Sequence, residues 1–212
     1  EIHFVDDTFT LNEKRIFRLT ELIQRKNINL SWYGTAHANV NNMDIFKAMK
    51  SAGCWIAAVG IESGSQKVID TLDKGTTKER MKATCEGVLA AGLKLKTFFV
   101  LGNPGDTIET IDETIAFAKD LKGHFPVFSL MTPYPGAPLY QNAEEFGTFD
   151  RSGFDKLKIA TDDPVFIPHG LTKEILIEKQ KQAFRSTYFN PGMMLRHLTG
   201  IDSATDAVKL AK

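Results

Sequence analysis

Apolar residues along this chain gather into short β-rich runs, and the stretches between them repeat with helical spacing. Residues 2–5 read as a strand, followed by a helix over 12–26 in which Ile16, Leu19, Leu22 and Ile23 share one face and Asn12 stands as the cap. A second run at 30–33 precedes a helix over 43–52 that stops at Gly53. Residues 55–61 lead through Gly64 and Ser65 into a short helix, and 77–91 form another that ends at Gly92. The runs at 95–101 and 125–131 are followed by helices over 107–121 and 139–146, the last of them after the turn-rich sequence PYPGAP.

Five strands, each followed by helix and each nearly continuously apolar, predict an α/β fold with a parallel sheet covered by helices. A doubly wound sheet and a (β/α) barrel share this pattern. After Gly147 the alternation ceases. Residues 149–168 read as irregular, and 171–189 as an amphipathic helix that packs Leu171, Ile175, Ile177 and Phe184 on the domain and ends before Asn190-Pro191-Gly192. The expected organisation is an α/β domain over 1–147 and a helical extension over 148–212.

In parallel α/β sheets ligands bind beyond the carboxyl ends of the strands. Those ends carry Asp6-Asp7-Thr8, then His37 and Asn39, then Glu62-Ser63-Gly64-Ser65, then the sequence GNPGDT from Gly102, and last Pro133-Tyr134-Pro135-Gly136. Taken singly, each has a structural explanation. Asp6 and Asp7 can cap a helix, Lys74 in TLDKG can be a surface lysine, GNPGDT can be a tight turn, and His37 reads more readily as a hydrogen-bonded strand-end residue than as a ligand. Their joint occurrence, in order and on one face, predicts a polar site there.

Composition narrows the partners. Lys plus Arg and Asp plus Glu balance at 26 each, so no overall field draws nucleic acid or an anionic membrane surface. The longest apolar stretches, at 54–61 and 97–101, fall far short of the roughly 20 residues a membrane span needs. A cytoplasmic protein with a small-molecule substrate is expected. Cys54 and Cys85 have no second Cys or His at ligand spacing and read as ordinary buried thiols. The chain opens with EIHFVDD, the middle of a strand, which suggests truncation and a sheet edge free to pair with another copy.

The runs FVDDTFTLN, GIESGSQKVIDTLDKGTT, FFVLGNPGDTIETI and PYPGAPLY resemble, in that order, segments of the radical S-adenosylmethionine (SAM) superfamily. The resemblance is to the branch that includes the anaerobic magnesium-protoporphyrin IX monomethyl ester cyclase, whose members often carry a cobalamin-binding domain upstream. It covers 1–147 and implies a partial TIM-like (β/α) barrel of six parallel strands, of which this chain supplies strands two to six. In the family the first strand leads to a CxxxCxxC run whose thiolates hold a [4Fe–4S] cluster, with SAM on the fourth iron. No such run occurs here, so the resemblance implies a radical SAM oxidoreductase or methyltransferase in a longer parent, and a fragment inactive alone.

The same resemblance implies roles around SAM and names no catalytic side chain, because the cofactor supplies the hard chemistry. Asp6 and Asp7 stand where relatives contact the methionyl amino group. Glu62 and Ser63 match polar residues that bind the ribose, and Lys74 a basic residue near the SAM carboxylate. Leu101, Gly102, Asn103 and Pro104 match a stretch beside adenine, with Met131 to Tyr134 completing that contact. Cobalamin stays open as a further cofactor. The competing reading is a non-redox α/β protein holding a phosphate or nucleotide at GNPGDT, although the Gly-Lys-Ser/Thr of a P-loop is missing.

Overall fold

Five parallel strands pair strictly in chain order: β1 (Ile2–His3), β2 (Trp32–Ala36), β3 (Cys54–Glu62), β4 (Lys94–Leu101) and β5 (Phe125–Leu130). The segments between them carry α1 (Glu13–Arg25), α2 (Asp44–Ser51), α3 (Gln66–Thr71), α4 (Lys78–Ala90) and α5 (Ile108–Asp120). The computed structural model describes residues 1–152, 163–193 and 195. Right-handed crossovers that always step the same way put every connecting helix on the same face of the sheet. A doubly wound sheet needs a reversal of strand order, and none occurs among the described residues. The sheet therefore curls into a partial TIM-like half-barrel, helices outside and a concave face within.

Burial follows that one-sided covering. Trp32, Ala57, Val59, Leu95, Phe99, Leu101 and Phe128 on the outer face are buried against helix residues such as Ile16, Phe46, Met81 and Ile115. Alternate positions on the inner face, Tyr33 and Thr35 on β2 and Lys94, Lys96, Phe98 and Val100 on β4, stay partly exposed. The strands are thus apolar on one side and mixed on the other, where sequence suggested apolar interiors throughout.

Local chemistry sets the boundaries. Asn12, Thr77, Thr107 and Thr172 each accept a bond from the backbone N–H three residues on, which starts α1, α4, α5 and a later helix, α7 (Lys173–Tyr188). β2 runs past the expected 30–33 to Ala36 because Gly34 leaves room for Phe9; a Cβ at Gly34 would stand 2.9 Å from the Phe9 ring. The expected helix over 139–146 is a short α6 (Pro138–Asn142) followed by a 3-10 turn (Ala143–Glu145). Part of the stretch expected to be irregular forms an antiparallel ribbon of β6 (Gly147–Phe149) and β7 (Phe166–Pro168).

α7 (Lys173–Tyr188) packs against β5 and α5, as its length and pattern predicted, but on a different face. Leu176, Gln180, Ala183 and Thr187 are buried, while Ile175 and Ile177 are only part-buried and Phe184 is 37% exposed with its ring edge-on to Phe128. The sheet edge selects this face. Gln180 Nε2 donates to the Phe128 carbonyl and the Tyr188 hydroxyl donates to the Pro126 carbonyl, each at 2.9 Å. Two edge acceptors of β5 are thereby satisfied without a further strand. The expected extension at 153–162 and over most of 194–212 lies outside the described residues.

Gln180→Leu should lower the unfolding free energy by about 1–3 kcal/mol in urea titration, because the buried Phe128 carbonyl loses its donor. An unchanged midpoint with an unchanged slope would show that this edge needs no cap.

Candidate cofactor site at the strand ends

β3 ends in an unusual backbone. The ladder to β4 loses register between Gly60 and Glu62, and Glu62 takes φ +67°, a left-handed conformation that a non-glycine residue adopts only where its surroundings hold it. What holds it is Lys74, whose Nζ donates to Glu62 Oε1 at 3.0 Å with both side chains largely shielded from solvent. Gly60 makes room for the pair: a Cβ there would lie 2.9 Å from Glu62 Oε1 and 3.8 Å from Lys74 Nζ. Lys74 is swung back over the sheet by the turn that closes α3, in which Asp73 and Gly75 both have positive φ.

This pair stands at the wall of a cavity of about 660 Å³ on the concave face. β1 and the loop after it contribute His3 and Phe4 to Thr8; β2 contributes Tyr33 and Thr35, and its exit His37; β3 contributes Ala58 and Gly60, and β4 Phe98. Thr35 joins two of these elements, donating from its hydroxyl to the Asp6 carbonyl at 2.6 Å and accepting from Phe9 N–H at 3.2 Å. Asp6 is anchored by Arg15 of α1, Nη1 to Oδ1 3.0 Å, while Asp7 is exposed at the lip.

The structure thus brings Asp6, Asp7, Glu62 and Lys74 to one cavity. Ser63 is fully buried; its hydroxyl bonds Thr114 of α5 and accepts from the Ser65 amide, pinning the strand end to α5. Leu101 is in the core, and the loop that follows is closed on itself. Asn103 Nδ2 donates to the Val100 carbonyl, Asn103 N–H donates to Asp106 Oδ2, and the Thr110 hydroxyl donates to Asp106 Oδ1. Burial pushes the Asp106 carboxyl above its usual value despite these donors. Gly102 and Pro104 are buried in the same loop, which α7 covers through Leu176, and Tyr134 is 47% exposed beyond β5; none of these six lines the cavity.

Residues 1–118 match the model of the radical SAM superfamily. This chain belongs to that superfamily. It is 32% identical over 93% of its length to an uncharacterized methyltransferase of Pyrococcus horikoshii, of which it covers 43%. It is 21% identical over 89% of its length to the anaerobic magnesium-protoporphyrin IX monomethyl ester cyclase of Rubrivivax gelatinosus, covering 34% of that protein. The chain therefore spans less than half the length of these relatives. Among solved structures, the radical SAM methyltransferase TsrM from Kitasatospora setae, with cobalamin and a [4Fe–4S] cluster bound, superposes at TM-score 0.60 with 21% identity, over 84% of this chain and 37% of TsrM.

The residues of this radical SAM chain fit one of the superfamily's two groups. A polar cavity with a shielded cation, carboxylates and small residues at its floor suits SAM. The thiols do not suit a cluster: Cys54 begins β3, far from the cavity end, Cys85 lies inside α4, and burial pushes both up to about 12. Among the described residues no three His, Cys, Asp or Glu side chains gather as a metal site.

His37, expected at the second strand end, does line the cavity, whereas Tyr33, Thr35 and Phe98 escaped the sequence reading. Tyr33 and Thr35 lie at every second position of β2, and Lys96 and Phe98 do the same on β4; this period-two signal was present but masked by the expectation of apolar strands. His37 Nδ1 accepts from the Asn39 amide at 3.1 Å, so the neutral ring carries its proton on Nε2. Burial first, and the Lys74 ammonium second, hold the imidazole below its ordinary 6.5.

Because the folded value is depressed, His37 contributes stability that is present above 6.5 and is lost as pH falls through the lower folded value. In an NMR titration the His37 ring should change protonation below pH 6.5, and Lys74→Met should move that midpoint up but not beyond it, since burial persists. A midpoint at or above 6.5 in the unsubstituted protein would contradict the assigned surroundings.

Proposed function

We propose that this chain is the SAM-holding wall of the catalytic half-barrel of a cytoplasmic radical SAM enzyme that works on a small molecule, by methyl transfer or oxidative cyclisation. The observation that carries this reading is Glu62, kept in a left-handed conformation by Lys74 over Gly60 at the mouth of the concave face. Strain of that kind costs on the order of 1–3 kcal/mol and persists where a side chain must be aimed. The names of the cyclase and methyltransferase relatives support the reaction type, and the TsrM likeness supports cobalamin as a cofactor of the longer protein.

In this reading Lys74 keeps two ammonium protons free beside Glu62 for the SAM carboxylate, while Glu62 accepts from a ribose hydroxyl. Asp6 and Asp7 face the methionyl amino group. Ser63, Leu101, Gly102, Asn103, Pro104 and Tyr134 form the frame beside the ribose and adenine, reaching them through backbone groups where their side chains are already bonded. The iron–sulfur cluster, when bound, supplies the electron that cleaves SAM, and its thiolates come from outside this chain. The phosphate-loop alternative loses ground on geometry, because the GNPGDT loop already donates Asn103 N–H to its own Asp106 carboxylate.

In the longer parent protein reconstituted anaerobically, Glu62→Ala and Lys74→Ala should each weaken SAM binding by about tenfold or more and leave the cluster absorbance intact, since each removes one charge-assisted hydrogen bond. Melting curves run alongside separate lost contacts from lost folding. This chain alone, treated with iron and sulfide, should show no cluster absorbance. Stoichiometric cluster uptake by the chain, or unchanged SAM affinity in both variants, would refute the assignment.

A further inference from the structure

Beside the cavity the concave face carries a cation over aromatic rings that the cofactor reading does not use. Lys96, the third residue of β4, is partly buried, and among the described residues no carboxylate pairs with its ammonium. It stands instead over two aromatic rings, 5.1 Å from the centre of Phe98 and 5.9 Å from that of Tyr33. Both rings line the cavity. Reaching Tyr33 from β4 means crossing β3 on a diagonal: Ala58 pairs with Lys96 and with Thr35, and Ile56 pairs with Lys94 and with Tyr33, so the lysine stem passes over the small Ala58 beside Ile56.

Contrast with the other shielded lysines gives the arrangement its meaning. Lys74 meets Glu62 and Lys179 meets Asp112, whereas among the described residues Lys96, like Lys78 over Phe117 outside the cavity, meets π faces. An ammonium over aromatic faces is attracted but keeps its hydrogen-bond donors unspent, and a half-buried cation with spare donors is short of an anion. The cavity charges nearest in the fold do not supply one: Glu62 is held by Lys74, Asp6 by Arg15, and His37 is held towards its neutral form. Asp7 lies at the lip on the far side, after β1.

We propose that Lys96 is a specificity-determining residue that binds a carboxylate of the substrate, with Tyr33 and Phe98 packing the flat apolar part of the same molecule. The assignment rests on the reading of the concave face as the enzyme's chamber and adds the substrate class: an anionic molecule with an extended unsaturated or aromatic body. No bond is made or broken by Lys96; it positions and selects.

The test uses the longer parent protein and two probe pairs. 2-Naphthoate and its methyl ester, followed by NMR saturation transfer, report on charge recognition by any flat carboxylate; protoporphyrin IX and its dimethyl ester, followed by fluorescence, report on a tetrapyrrole. Naphthoate should bind about tenfold more tightly than its ester, the preference should vanish in Lys96→Met and survive in Lys96→Arg, and SAM affinity should be unchanged in both variants. Lys96→Met should also leave the melting temperature level or raised. No naphthoate binding, no preference for the acid, a preference that persists in Lys96→Met, or a melting temperature lowered by a lost ion pair with another part of the parent would each overturn the proposal. If naphthoate shows the Lys96-dependent preference and porphyrins do not bind, Lys96 recognition holds and a tetrapyrrole substrate is excluded. Loss of SAM binding in the Glu62 and Lys74 variants is scored separately, so failure of the cofactor reading is distinct from failure here.

Discussion

Every crossover among the described residues steps in the same direction along the five-stranded sheet, and that constraint decides most of the architecture. With right-handed connections the helices can cover only one face, so the hydrophobic core forms between that face and the helices. The opposite face is released from the demands of packing. It can carry Tyr33, Thr35, Lys96 and Phe98 without burying unpaired polar groups, and Tyr33, Thr35 and Phe98 line one cavity there.

The ends of the barrel wall are handled by different chemistry. At β5 the sheet stops because α7 presents Gln180 and Tyr188 to carbonyls that a neighbouring strand would otherwise bond. At the mouth of β3 the chain departs from regular pairing, and an ion pair holds the departure in place. A shielded pair of this sort gains little net stability, since desolvation of both charges offsets their attraction. Its use is geometric: it fixes a carboxylate and a cation side by side at the rim, an arrangement complementary to the groups of a zwitterion.

The order of elements was legible in sequence because each βα unit carries a strong local signature, and caps such as Asn12 and Thr107 mark the helix starts. Asp6, Asp7 and Glu62 were legible as polar residues at the strand ends, whereas Lys74, beyond α3, stood out only through the family resemblance. What sequence could not show was direction. The burial of Ser63 against Thr114, the self-closure of the Asn103–Asp106 loop and the choice of Gln180 for the buried face of α7 all depend on partners dozens of residues away or on the three-dimensional path of a turn. Apolar content alone also hid the inner face, where Lys96 and Phe98 alternate with core residues in a run that reads as a buried strand.

Everything proposed for the cofactor turns on SAM lying against the Glu62–Lys74 rim of the concave face. A structure of the longer parent protein with SAM bound measures this directly. The SAM carboxylate should stand within hydrogen-bonding distance of Lys74 Nζ, with a ribose hydroxyl against the Glu62 carboxylate. SAM seated elsewhere, with Lys74 and Glu62 bonded only to each other, would show that the rim serves the fold and not the cofactor.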